Sequence, residues 1–90
     1  MIDNNNIVAI NRVIQAYFDT HPNEAKVPAK DLMPQFIVAG IFHSDHRNGL
    51  PIRKVLRELD SKKQLKFIPS VLPERKPKNT YWFFDRDLVG

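Results

Sequence analysis

Arg53, Lys54 and Arg57 recur along the apolar-striped stretch LPIRKVLRELDSKKQL, and Arg75, Lys76 and Lys78 crowd the proline-punctuated PERKPKN. Basic side chains at this density do one kind of chemistry well. They hold phosphate oxygens, the guanidinium as a two-pronged donor and the ammonium as a point charge. On a helix advancing about 100° per residue, Ile52, Val55, Leu56 and Leu59 form a stripe that must face a core, and Arg53, Lys54, Arg57 and Ser61 fall opposite it. The competing account is an ordinary solvated face, laced by a Glu58–Lys62 pair one turn apart. Such a face mixes signs, whereas only basic residues and Ser61 lie directly opposite this stripe. In PERKPKN, Pro73 and Pro77 stiffen the loop and reduce the entropy lost when its cations are ordered on phosphates. A charged loop that keeps a sheet edge soluble is the competing account there.

The charge balance is positional. Residues 1–49 hold four Lys/Arg against five Asp/Glu, whereas residues 50–90 hold ten against five, so the whole net charge of +4 originates in the second half. A phosphate-facing surface is expected where that excess lies. With 42% hydrophobic and 27% charged residues, the 90-residue chain has the composition of one globular domain with a single modest core. It contains no cysteine, which excludes disulfides and thiolate zinc sites. No apolar run approaches a bilayer span, and MIDNNN lacks the basic start of a secretion signal, so a cytoplasmic protein with no membrane contact is expected.

Other chemistries are poorly provided for. His43, Asp45 and His46 bring two imidazoles and a carboxylate together, but a third ligand would have to come from His21 or a distant carboxylate. A polar loop before a helix is the expectation, with no metal and no cofactor. There is no glycine-rich phosphate loop, nucleophile elbow or cysteine nucleophile, so the chain is not expected to be an enzyme. The run Tyr81-Trp82-Phe83-Phe84 can fill a core, stack on bases or bury a partner.

These residues need elements to hold them. A first helix is predicted over about residues 4–19, from Ile7, Ile10, Ile14, Tyr17 and Phe18 at helical spacing with Val8 and Val13 widening the stripe. Asp3 or one of Asn4, Asn5 and Asn6 caps it, and Thr20-His21-Pro22 stops it. Residues 25–28 are short and extended, with a one-bridge strand as the candidate there. A two-turn second helix starts at Asp31 as N-cap, places Pro34 in its first turn, buries Leu32, Met33, Phe36 and Ile37, and ends at Gly40. A connection over residues 41–49 leads to a third helix from about Pro51, which frays near Lys62 and Lys63. Two strands close the chain. Leu65 and Phe67 alternate along the first, joined by Val71 or Ile68, with Pro69 at an edge or bulge. Residues 73–79 form the tip. In the second strand Tyr81 and Phe83 point one way and Trp82 and Phe84 the other, and one pair joins the core.

The patterns GLPIRKVLRELDSKKQL, KFIPSV and NTYWFF, in the order helix, short strand, helix, helix, hairpin, resemble the winged helix-turn-helix superfamily over about residues 4–87. The resemblance implies an α+β fold of three helices, a short strand and a two-stranded C-terminal wing. A single domain over residues 1–90 would carry a recognition helix at about 50–63 and the wing at about 66–85. It also implies binding of double-stranded DNA, with the third helix in the major groove and the wing on the adjacent backbone or minor groove. Arg53, Lys54 and Arg57 then face the groove, Arg75, Lys76 and Lys78 become wing contacts, and Arg47 and Ser61 complete the contact set. The 41–49 connection is longer than the tight turn of the simplest helix-turn-helix. The rival expectation on the same fold is a protein-interaction module that takes an acidic partner, or dimerises through Tyr81 and Phe83 or the first helix.

Overall fold

A six-residue strand rich in aromatic residues, hydrogen bonded on both of its edges, organises the structure. The computed structural model describes residues 4–89, and for Asn4 only the backbone. In chain order the elements are α1 (Asn4–Thr20), β1 (Lys26–Pro28), a 3₁₀ turn (Ala29–Leu32) running into α2 (Met33–Val38), α3 (Leu50–Ser61), a second 3₁₀ turn (Leu65–Phe67), β2 (Val71–Arg75), β3 (Thr80–Asp85) and a last 3₁₀ turn (Arg86–Leu88). The three strands form an antiparallel sheet in the order β1-β3-β2. The fold is therefore α+β, with three α-helices and a three-stranded sheet.

The sheet is larger than a hairpin because residues 26–28 pair fully with β3, Val27 opposite Phe84 and Pro28 opposite Phe83. The hairpin itself starts later than alternation suggests. Leu65 and Phe67 do not alternate along a strand. They lie in a 3₁₀ turn, where Leu65 and Ile68 point inward three residues apart, and Asn11 Nδ2 donates to Phe67 O at 2.9 Å. Pro69 follows this turn instead of interrupting a strand, and β2 begins at Val71. Pro73 lies inside β2, an edge strand that tolerates a missing N–H. The tip shortens to residues 76–79, closed by Lys76 N donating to Asn79 O at 2.7 Å.

One core joins all of these layers. Ile10, Ile14 and Phe18 of α1 meet Met33 and Phe36 of α2, Ile52, Leu56 and Leu59 of α3, and Trp82 and Phe84 of β3. Val55 packs partly buried against this cluster, while Val8 remains exposed on α1. Phe36 contacts the Phe84 ring edge-on, with centroids 6.3 Å apart. Asp31 does not cap α2. It falls inside the 3₁₀ turn, and the N-cap position is Leu32, which has no side chain able to cap. Pro34 does occupy the first turn, and Gly40 at φ 80° ends the helix, with Gly40 N bonded to Ile37 O and Ile41 N to Phe36 O. The same reciprocal pair ends α3 cleanly instead of letting it fray: Lys63, at φ 57°, donates to Asp60 O and Gln64 N donates to Leu59 O. Of the caps expected for α1, Asp3 and the Asn4 side chain lie outside the described residues, and Asn5 and Asn6 fall within the helix.

Arg86, just after β3, is tied to the C-terminal end of α1 and the turn that follows it. Its Nε donates to Glu24 O and one Nη to Phe18 O, both at 2.8 Å; that Nη also donates to His21 O. The guanidinium carbon lies 5.0 Å from the Phe18 ring centre. The last carbonyls of a helix need such partners when water is excluded. Lysine keeps the charge but cannot present a planar fork. We expect Arg86→Lys to cost about 3 kcal/mol, read as a lower midpoint in urea unfolding. Beside it, Tyr17 Oη donates to Glu24, which, with burial and the nearby charges of Glu24 and Asp31, moves the phenol from 10.0 to about 12. The protonated phenol is the form the fold favours, so this contribution is complete below pH 10 and lost as pH rises towards about 12. Unfolding midpoints measured across that interval should fall, and Tyr17→Phe should remove that component of the slope.

Candidate functional site

The approach to α3 is built from backbone that few residues accept. Arg47 (φ 51°), Asn48 (φ 50°) and Gly49 (φ 91°) are left-handed in succession. The first helical turn holds them. Arg53 Nη1 donates to Asn48 O at 3.0 Å, Arg53 Nη2 donates to Arg47 O at 2.8 Å, and Gly49 N donates to Asp45 Oδ1 at 2.8 Å. Arg53 thus lies on the cationic flank of α3 as expected, but its fork is committed to its own loop. Gly49 also lets two segments touch. A Cβ there would lie 2.5 Å from Lys30 Cβ and 2.9 Å from Lys30 Cα. This contact sets Lys30, a residue with no motif around it, beside the start of α3.

At the far end of α3, Asp60 accepts a forked pair from Arg75 of β2, at 3.0 and 2.9 Å. The Arg75 guanidinium holds the Asp60 carboxyl below the usual carboxylate range. Both side chains are partly exposed, so the pair adds little to stability on its own. Its larger effect is geometric, because it fixes the hairpin against the helix. Between the two runs a groove of about 840 Å³, whose lining includes Lys30, Arg53, Arg57, Lys78, Tyr81 and Phe83. β1 covers β3 only at Phe83–Asp85, so Thr80–Trp82 have a strand neighbour on the β2 side alone, and this uncovered stretch lines the groove.

Of the residues singled out by sequence, Arg53, Arg57 and Lys78 meet in this groove. Lys54 is exposed on α3, Lys76 is exposed at the hairpin tip, and Arg47 is exposed in the loop before α3. Ser61 turns back on its own helix, donating to Glu58 O at 2.8 Å. Arg75 is occupied by Asp60. Three carboxylates on α3 and β2 are ion-paired: Glu58 with Lys62 at 3.9 Å, Asp60 with Arg75, and Glu74 with Lys26 at 2.8 Å. Among the described residues this leaves Lys54, Arg57, Lys76 and Lys78 with no carboxylate partner. The field over the groove and its rim is therefore positive.

Alternation in β3 holds as expected, with Trp82 and Phe84 in the core. The outward aromatic face is narrower than the sequence suggests. Lys26 Nζ stands 4.5 Å over the Phe83 ring and ion-pairs with Glu74, which reaches across from β2. Phe83 is half-buried and Tyr81, 52% exposed, stands alone. A second, smaller depression of about 320 Å³ lies beside α1, bounded by Val8, Arg12, Phe67 and Val89. Asp45 serves the loop, and among the described residues no group of three His, Asp or Glu is placed to hold a metal ion. No described helix is long and apolar enough to cross a membrane.

Sequence reading did not single out Lys30, Gly49 and Asp60 as parts of this site. Asp60 had a signal, since it lies on α3 one turn after Arg57, on the flank where a hairpin returning to the helix would pass. Lys30 and Gly49 had none, because their meeting is a contact between distant segments. Compared with protein-family models, with curated proteins and with solved structures, the chain matches none of them.

The Lys30–Gly49 approach is directly testable. Gly49→Ala combines a left-handed Cβ with an overlap against backbone, and we expect a loss of about 2–4 kcal/mol in chemical denaturation. Ala at the exposed Gly40, where a Cβ would meet nothing within 4 Å, carries only the backbone strain and should cost about 1–2 kcal/mol.

Proposed function

We propose that this chain is a winged-helix module that binds double-stranded DNA, with α3 directed at the major groove and the β2–β3 hairpin acting as the wing on the adjacent backbone. The observation that carries this reading is the meeting of α3 and the hairpin around one cationic groove whose neighbouring carboxylates are already ion-paired. In this reading Lys54 and Arg57 contact phosphates or base edges from the helix. Lys76 and Lys78 hold backbone phosphates from the hairpin, and Arg47 reaches the flanking phosphate from the loop. Arg53 and Arg75 act as positioning residues, the first by fixing the left-handed loop and the second by fixing the hairpin on α3. The module has no catalytic step of its own and works inside the cell, where DNA is.

Binding of a random duplex should weaken steeply with salt, at a log–log slope of about −4 to −5 for roughly four to six phosphate contacts. Replacing Lys54 and Arg57 together with Ala should flatten that slope by about 2 and weaken binding at low salt about tenfold or more. Both side chains point to solvent, so urea midpoints should stay near those of the parent chain. Unchanged affinity in the double variant removes α3 from the interface, and no binding at low salt removes the reading altogether.

A further inference from the structure

The groove beside α3 contains a feature that an intact duplex cannot use. Tyr81 exposes 52% of its surface and lines the groove with Arg57, Lys78 and Lys30. A ring gains stacking energy from a base only when one face of that base is uncovered, and inside a duplex both faces are covered by neighbouring pairs. An exposed aromatic ring in a groove whose lining includes cations therefore suits an unpaired nucleotide: the ring takes the base and the cations take the phosphates on either side. The strand carrying Tyr81 adds a second element, because β1 stops at Phe83 and leaves the edge of Thr80–Trp82 towards the groove without a strand partner. Unpaired backbone donors and acceptors along such an edge can meet the polar rim of a base. Phe83, one strand position further on, is closed to stacking by the Lys26–Glu74 pair above it, so the platform is a single ring.

We propose that the groove receives a single-stranded segment adjoining the bound duplex. One base stacks on Tyr81, its flanking phosphates lie against Arg57, Lys78 and Lys30, and the module thus prefers a junction of duplex and single strand over a continuous duplex. This rests on the duplex-binding reading above: Arg57 and Lys78 lie where duplex and single strand meet, and the exposed Lys54, Lys76 and Arg47 hold the paired portion.

The test is a fluorescence-anisotropy titration of the full chain with a short blunt duplex, the same duplex carrying a single-stranded tail, and a labelled glutamate-rich peptide. The tailed duplex should bind about tenfold tighter than the blunt one, the range expected for stacking one base on an aromatic ring. Tyr81→Ala should erase that advantage while leaving blunt-duplex affinity unchanged. Tyr81→Phe, which keeps the ring, should retain it. Equal binding of tailed and blunt duplexes, or an equal loss for both in Tyr81→Ala, overturns the junction preference while leaving duplex binding in place. Absence of binding to the blunt duplex overturns both. Tighter binding of the acidic peptide than of any DNA at the same ionic strength assigns the groove to a protein partner and overturns the proposal.

Discussion

The two-residue alternation of β3 is the constraint on which everything else rests. Because successive side chains leave a strand on opposite faces, burying Trp82 and Phe84 obliges Tyr81 and Phe83 to face outward. A slip of one residue would exchange the two pairs and turn Trp82 and Phe84 out to solvent. The register is therefore held by hydrophobic burial on one side, and the site inherits its aromatic wall from the same register. Strand pairing on both edges fixes it further, with Val27 and Val71 both opposite Phe84. Core and groove are two consequences of one registration.

Around that strand the molecule separates charges by function. The carboxylates of α3 and β2 are spent on internal ties: Asp60 to the hairpin, Glu74 to β1, Glu58 along its own helix. Each tie is weak as an isolated contribution to stability, since all of these side chains are partly exposed. Together they leave the remaining lysines and Arg57 facing solvent without local neutralisation. Arginine and lysine divide the work. Arg53, Arg75 and Arg86 use planar forks where carbonyls or a carboxylate must be gripped in fixed geometry, while lysines dominate the free surface around the hairpin tip.

Much of this was legible in the residue pattern, though unevenly. The stripes of α1 and α3 and the faces of β3 are local periodicities, and local periodicity survives folding when it agrees with burial. Pro34 and Gly40 marked the ends of α2 for the same reason, each by a backbone property of its own. The segment around Leu65 to Pro69 misled because an i, i+3 inward spacing and a two-residue alternation overlap in so short a run. Which one forms is settled by α1, whose Asn11 grips Phe67 O from far along the chain. β1 could be read as a short extended segment, but the extent of its pairing comes from the partner strand that completes it. The site divides likewise. Arg57 and Lys78 could be picked from charge and position, but the commitment of Arg53 to two carbonyls and the placing of Lys30 by Gly49 depend on which distant backbones come to touch.

The Arg86 contacts carry a consequence about timing. They join residues 62, 65 and 68 positions apart, and the strand just before them is the middle one of the sheet. Until that stretch has been synthesised, β1 and β2 have no partner in the sheet, and the carbonyls at and just after the end of α1 have no guanidinium to answer them. The sheet therefore cannot assemble from the earlier elements alone, and its pairing waits for β3. A premature stop codon after β2 would thus remove the middle of the sheet together with Trp82 and Phe84 of the core, not trim an edge.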